Sequence, residues 1–194
     1  MIDFVLPLVS AALLNNFVLH WPLGVDPLLQ ARPAAGKRLT LHAQGIATSA
    51  LMLVTTLISH SLYHYLLLPL GLEAFKLFVF LPTSVLLIGP LLSLLARGLP
   101  RLPFGGLTTP LLGNAGILGL SLLNAADDKG LIQALLTSLG AGLGFWLVLG
   151  LFSDLRQRTF HEEVPQPFRG LPIDLIGAGL IGVAFLGFTA LVKP

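Results

Sequence analysis

Two adjacent amides, Asn15 and Asn16, interrupt an apolar run long enough to cross a membrane, and Pro22, Gly24, Asp26 and Pro27 follow within a few residues. Amide and carboxyl side chains are costly in hydrocarbon, and proline and glycine release backbone groups that lipid cannot satisfy. Such a break survives where it faces protein or a water-lined cavity. Asp26 therefore has two readings: an ion or proton relay, or the cap of a half-helix at the membrane interface. Asn15 and Asn16 divide in the same way, between lining an ion path and satisfying backbone freed at the break. A second broken stretch, Leu107 to Asn124, carries Thr108, Thr109, Pro110, Gly113, Asn114, Gly116 and Gly119. Thr108, Thr109 and Asn114 form its candidate site, with the same two readings.

Other reactive side chains form weaker patterns. His60 and His64 share a helix face at a spacing that could hold a metal, but no third ligand lies near in sequence, and Tyr63 and Tyr65 beside them suit an interfacial pair. His20 and Trp21 read as packing, and His161, Glu162 and Glu163 as solvated loop residues. No P-loop, dinucleotide fingerprint, nucleophile elbow or HExxH is present, which argues against catalysis by this chain alone.

The elements that would position these residues follow from composition. Of 194 residues 55% are apolar and 10% charged, against about 25% charged in soluble domains. The expected fold is an all-α integral membrane protein in a single domain, 1–194, with no room for a soluble catalytic unit. Its length allows about six spans of roughly 20 residues. They fall at about 2–23, 39–65, 75–96, 107–124, 131–152 and 171–192, the first and fourth broken and the third kinked at Pro82 and Pro90. Gly140, Gly142, Gly144 and Gly150 in the fifth span, and Gly177, Gly179, Gly182 and Gly187 in the sixth, permit close helix approach. The N-terminal residues lack a basic n-region and read as a retained first span.

Asn15 and Asn114 lie roughly half the chain apart. Paired breaks at corresponding positions of two halves predict two inverted three-helix repeats, about 1–96 and 97–194, with a site between them. Eight of the 11 cations fall in the first, third and fifth loops. The positive-inside rule makes those loops cytoplasmic and places both termini on the other side. The net charge of +2 is a topology signal, which argues for a lipid partner and against nucleic acid. Zero cysteines exclude disulfides and any cysteine-ligated cluster held by this chain alone.

With the spans laid out, the chain resembles the A-type membrane component of the Rnf ion-translocating electron transport complex, a family related to the six-span membrane subunits of the sodium-pumping NADH:quinone reductase. The resemblance rests on VSAALLNNFVLHWPLGVDP from Val9, LLLPLGLE from Leu66, ILGLSLLN from Ile117, GLGFWLVLGLF from Gly142, and VPQPFRG followed by AGLIGVAFLGFTALVK near the end. It implies a subunit of the bacterial inner membrane that pairs with a homologous subunit of opposite topology and with peripheral redox subunits. Such a pair holds an iron-sulfur centre through one cysteine from each broken helix, and the complex couples electron transfer to movement of sodium ions or protons. Carried onto this chain, the two cysteines fall on Asp26 and Ala115, and a Gln and a Glu of the third helix on Gly89 and Leu92. Asp26 could ligate iron through oxygen and Ala115 cannot ligate at all, so half of the expected site is missing.

The resemblance thus implies a non-catalytic subunit of a translocase, contributing scaffold and part of an ion path. A divergent structural or assembly paralogue and a small independent transporter are the other readings. Replacement of Asp26 by Asn separates them: an ion path loses coupling, a scaffold is unaffected, and an independent transporter loses uptake in a vesicle assay without partner chains.

Overall fold

The computed structural model describes residues 8–14, 16, 38–127, 130–159 and 164–192. Among them every regular element is helical. Asn15, His20, Trp21, Asp26, His161, Glu162 and Glu163, to which the sequence assigns roles, lie outside the described residues.

The helices follow the apolar runs. Leu8 to Leu14 is helical and ends in a π turn, Ser10–Leu14. α1, Arg38–Leu62, continues through a second π turn, Tyr63–Leu67, and stops where Pro69 and Gly71 follow, Gly71 with φ +65°. α2 is Lys76–Gly98. It runs on through Pro82 and Pro90 without a break in the helix. Each proline lacks an N–H and leaves the carbonyl four residues back without its usual donor, and hydroxyls in the same helix bond neighbouring carbonyls: Thr83 Oγ1 to Val79 O at 2.7 Å and Ser84 Oγ to Leu81 O at 2.7 Å.

The expected break in the fourth run is present. α3, Thr108–Leu112, ends at Gly113, and α4, Ala115–Ala126, begins after Asn114. α5, Leu131–Thr159, continues two turns beyond the expected Phe152. The extra turns are polar, and Arg156 in them meets Asp174 of the last helix, α6 (Leu171–Val192), at 2.5 Å with the carboxylate 5% exposed. The pair ties the two helix ends together across a polar connection, and Asp174 in the first turn of α6 also suits the positive end of that helix. Three helical stretches, Arg38–Leu67, Glu73–Gly98 and Leu131–Thr159, are long and apolar enough to cross a membrane, and Leu171–Gly187 is a shorter apolar one.

Packing is organised around α1 and α5. Gly142 meets Ser49, Gly45 meets the indole of Trp146, and Thr56 meets Ser138. Residue numbers rise along one helix as they fall along the other, so the two are antiparallel. On α5's other side Gly140 and Gly144 receive the N-terminal turn, Gly140 against Leu8 and Ala11 and Gly144 against Ala12 and Asn16. α1 in turn receives α4 and α2: Ala43, Ala47 and Leu51 share one core with Leu107, Leu111, Ile117 and Leu120 and with Ile88 and Leu91. Each half of the chain thus lays its broken segment on the long central helix of the other half. α6 closes on α5 through Phe145, Leu149, Phe152 and Phe185.

The glycines divide by this geometry. Gly140, Gly142 and Gly144 are at close approaches, while Gly150, Gly179, Gly182 and Gly187 face open space, because those positions of α5 and α6 look outward. α2 is almost wholly outward-facing, with Phe78 72%, Leu86 74% and Leu94 68% exposed, a face suited to hydrocarbon.

A Cβ at Gly142 would stand 2.7 Å from Ser49 Cα, a backbone atom that cannot move aside. Gly142→Ala is expected to lower stability in detergent by about 1–3 kcal/mol through overpacking, and Gly150→Ala to leave it level or raise it. Thermal unfolding of the two variants checks this.

Candidate functional site

The break between α3 and α4 is built from its residues. Asn114 has φ −85° and ψ 87°, outside the helical region, and its Oδ1 accepts from the Gly116 N–H at 3.0 Å. The side chain thus satisfies one of the amides that a new helix start leaves without a partner. Asn114 is 4% exposed, and its Nδ2 is buried with no hydrogen-bond partner. The break therefore holds one satisfied acceptor and one unused donor. Asn16, just past the end of the first helix, is 2% exposed, and its Nδ2 donates to Ala12 O at 2.8 Å, a backbone carbonyl of that helix's last turn. Its amide lies against the backbone of Gly144. Both asparagines serve the backbone at their breaks.

The other expected positions lie differently. Thr108 and Thr109 open α3 with exposed side chains, away from the buried face that Leu107 and Leu111 present. Ala115 is the first residue of α4 and its methyl is exposed. Gly89 has open space around it, and Leu92 packs against the α1–α4 core. His60 and His64 stack, with ring centroids 4.1 Å apart, and Tyr63 hydroxyl meets Glu73 at 3.4 Å. No group of three or more His, Asp or Glu gathers among the described residues to hold a transition metal.

The structure also brings together polar residues that the sequence does not single out. α1 buries Gln44, Thr48, Ser49, Thr55, Thr56 and Ser59. Some of these hydroxyls return to their own helix, as Ser49 does to Gly45 O at 2.8 Å and Thr55 to Leu51 O at 2.6 Å, the usual way a hydroxyl is carried through hydrocarbon. Thr56 instead reaches across the bundle: its Oγ1 is 2.7 Å from Ser138 Oγ on α5, and Asn124 Nδ2 of α4 lies 3.3 Å from the same Ser138 Oγ. Three helices meet at one buried polar point. The available signal is only the density of polar residues along one long span, Gln44, Thr48, Ser49, Thr55, Thr56 and Ser59, which does not separate Thr56 from Thr55. A second unforeseen contact joins Trp146 Nε1 to His42 Nδ1 at 3.2 Å, so that His42 accepts at Nδ1.

Glycine-lined and polar contacts inside, with large apolar faces outside, are the build of a multi-span membrane protein. A family model described as "Rnf-Nqr subunit, membrane protein" matches residues 4–192, and the chain belongs to that family. Its relatives include the A subunits of ion-translocating oxidoreductase complexes: it is 36% identical over 199 residues to that of Tolumonas auensis, 37% over 195 residues to that of Pseudoalteromonas atlantica and 39% over 197 residues to that of Glaesserella parasuis, in each case across the whole of both chains.

If the Asn114 cap holds the break, Asn114→Ala costs roughly 1 kcal/mol, whereas Asn114→Ser, which retains a capping oxygen, costs a few tenths. Paired thermal unfolding curves in one detergent measure the difference.

Proposed function

We propose that this chain is a membrane subunit of an ion-translocating oxidoreductase complex of the Rnf type. The observation that carries the reading is end-to-end similarity to the A subunits of such complexes in several bacteria. Its role is that of scaffold and partial ion path. It sits in the inner membrane as six spans, with both termini on the non-cytoplasmic side, beside a homologous subunit of opposite topology and peripheral redox subunits.

Two features support the repeat architecture. The end of the first helix before Asn16 and the break at Gly113 to Asn114 stand at half-chain spacing, and the segment that bears each packs on the long helix of the opposite half. That exchange is what a two-fold axis in the membrane plane generates when two three-helix units interlock.

The iron-sulfur centre implied by the resemblance does not fit the residues present. At the second break the ligand position is Ala115, a methyl on the outer side of the α4 start, and the adjacent amide of Asn114 is turned inward to cap Gly116. The whole chain contains no thiol, and thiolate is what such clusters require. The electron path is therefore assigned to other subunits, and this chain's part in coupling to its packing and polar interior.

The test is purification of a tagged chain from native membranes in mild detergent. Flavin-bearing and iron-sulfur subunits are expected to accompany it in fixed ratio. Recovery of the chain alone would contradict the assignment.

A further inference from the structure

We propose that the junction of Thr56, Asn124 and Ser138 is a binding site for a small monovalent cation. It deepens the ion-path reading above and rests on that reading for its role in transport, though its occupancy can be measured independently.

Ser138 Oγ donates its one hydrogen to Ala134 O at 2.8 Å. The 2.7 Å contact between Thr56 and Ser138 must then use the threonine hydrogen. Asn124 Nδ2 donates to the same Ser138 Oγ at 3.3 Å. The serine oxygen accepts twice and donates once, which exhausts it. What remains is the second hydrogen of Asn124 Nδ2 and, on the acceptor side, the free lone pairs of Thr56 Oγ1 and both lone pairs of Asn124 Oδ1, an atom buried with no partner. Thr56 is 1%, Asn124 4% and Ser138 0% exposed, so bulk water does not reach these atoms. A buried acceptor left unpaired costs about 1–3 kcal/mol. A guest that offers positive charge removes that cost; an anion or another acceptor does not.

The donor set fixes the class of guest. All these oxygens are neutral, and no carboxylate among the described residues belongs to the junction, whereas divalent cations are taken by sites built on carboxylates. Hard neutral oxygens, as in carbonyl-lined filters, replace the hydration shell of a monovalent ion. The electrostatics agree: Asn124 lies in the last turn of α4, where the carbonyl end of the helix carries negative potential, and Asp127, whose backbone N–H caps Leu123 O, is an exposed acidic residue at that end. The junction is less than one turn inside Ala126 and two turns inside Leu131, about 10 Å along α5. It is therefore within reach of the loops that carry few cations.

The test uses the full chain purified in mild detergent with any subunits that accompany it, melted in sodium chloride or in choline chloride at equal ionic strength. The native chain is expected to show a saturable rise in melting temperature with sodium. Thr56→Val keeps the shape and removes one oxygen, and needs about tenfold more sodium for half the rise; Asn124→Asp supplies a carboxylate and needs about tenfold less. Should Thr56→Val fail to fold, Asn124→Asp still reads the site. A native melting temperature indifferent to the choice of salt, or an Asn124→Asp titration that superimposes on the native one, overturns the proposal. So does a loss of stability in Thr56→Val without sodium dependence in the native chain, which would identify a structural water. The proteins recovered in the same sample keep the outcomes apart: a chain purified alone with its sodium response intact removes the assignment to a complex and leaves the site, and an intact complex without that response does the reverse.

Discussion

The contact on which the rest depends is the antiparallel crossing of α1 and α5, made possible by the absence of a side chain at Gly142 and Gly45. Between helices in a membrane there is little hydrophobic driving force, since lipid tails are as apolar as leucine. Association comes from close backbone approach and from buried polar contacts, and the crossing has both, with Gly142 against Ser49 and Thr56 bonded to Ser138. Gly140 and Gly144, on the same helix, then hold the N-terminal turn, and α1's small residues Ala43 and Ala47 hold the second broken segment. Enlarging the contact would displace both breaks at once.

This coupling gives the breaks a physical context. A helix interrupted in hydrocarbon needs internal partners for its freed amides and carbonyls. Asn16 and Asn114 supply them from their own segments, through Ala12 O and the Gly116 N–H, and the long helices supply the walls. Among the described residues, the buried side-chain polar atoms left over are Asn114 Nδ2, Asn124 Oδ1 and Thr48 Oγ1. In a family whose relatives are described as ion-translocating, such unpaired groups are where a path would leave its mark.

Much of this is legible in the residues. Gly113 and Asn114 in an apolar run mark the break at its observed place, and the ends of α2 and α6 fall within a few residues of expectation, because hydrophobic length is strongly constrained in a membrane. The end of α5 does not, because Asp154 to Thr159 looks like loop by polarity, and the Arg156 to Asp174 pair that keeps it helical joins residues far apart in sequence. By sequence alone Arg156 is only a topology signal. The polar junction stays hidden because threonine and serine in a span mostly bond their own helix, and nothing local separates Thr56 from Thr55; only the register of α1 against α5 does. Glycine teaches something similar: eight are candidates for close approach, and the three that make it on α5 are distinguished from Gly150 by which face they occupy.

The absence of native cysteine allows the α1–α5 register to be tested directly. A chain carrying Thr56→Cys with Ser138→Cys, mildly oxidised in native membranes and then cleaved in the loop around Arg101, reports the distance without background thiols. The two fragments are expected to migrate together until reduced, because the native oxygens at these positions are 2.7 Å apart and sulfur atoms there lie within disulfide reach. Fragments that separate under oxidising conditions, in a variant that inserts and accumulates normally, would contradict the crossing on which the breaks, the bundle and the polar junction all rest.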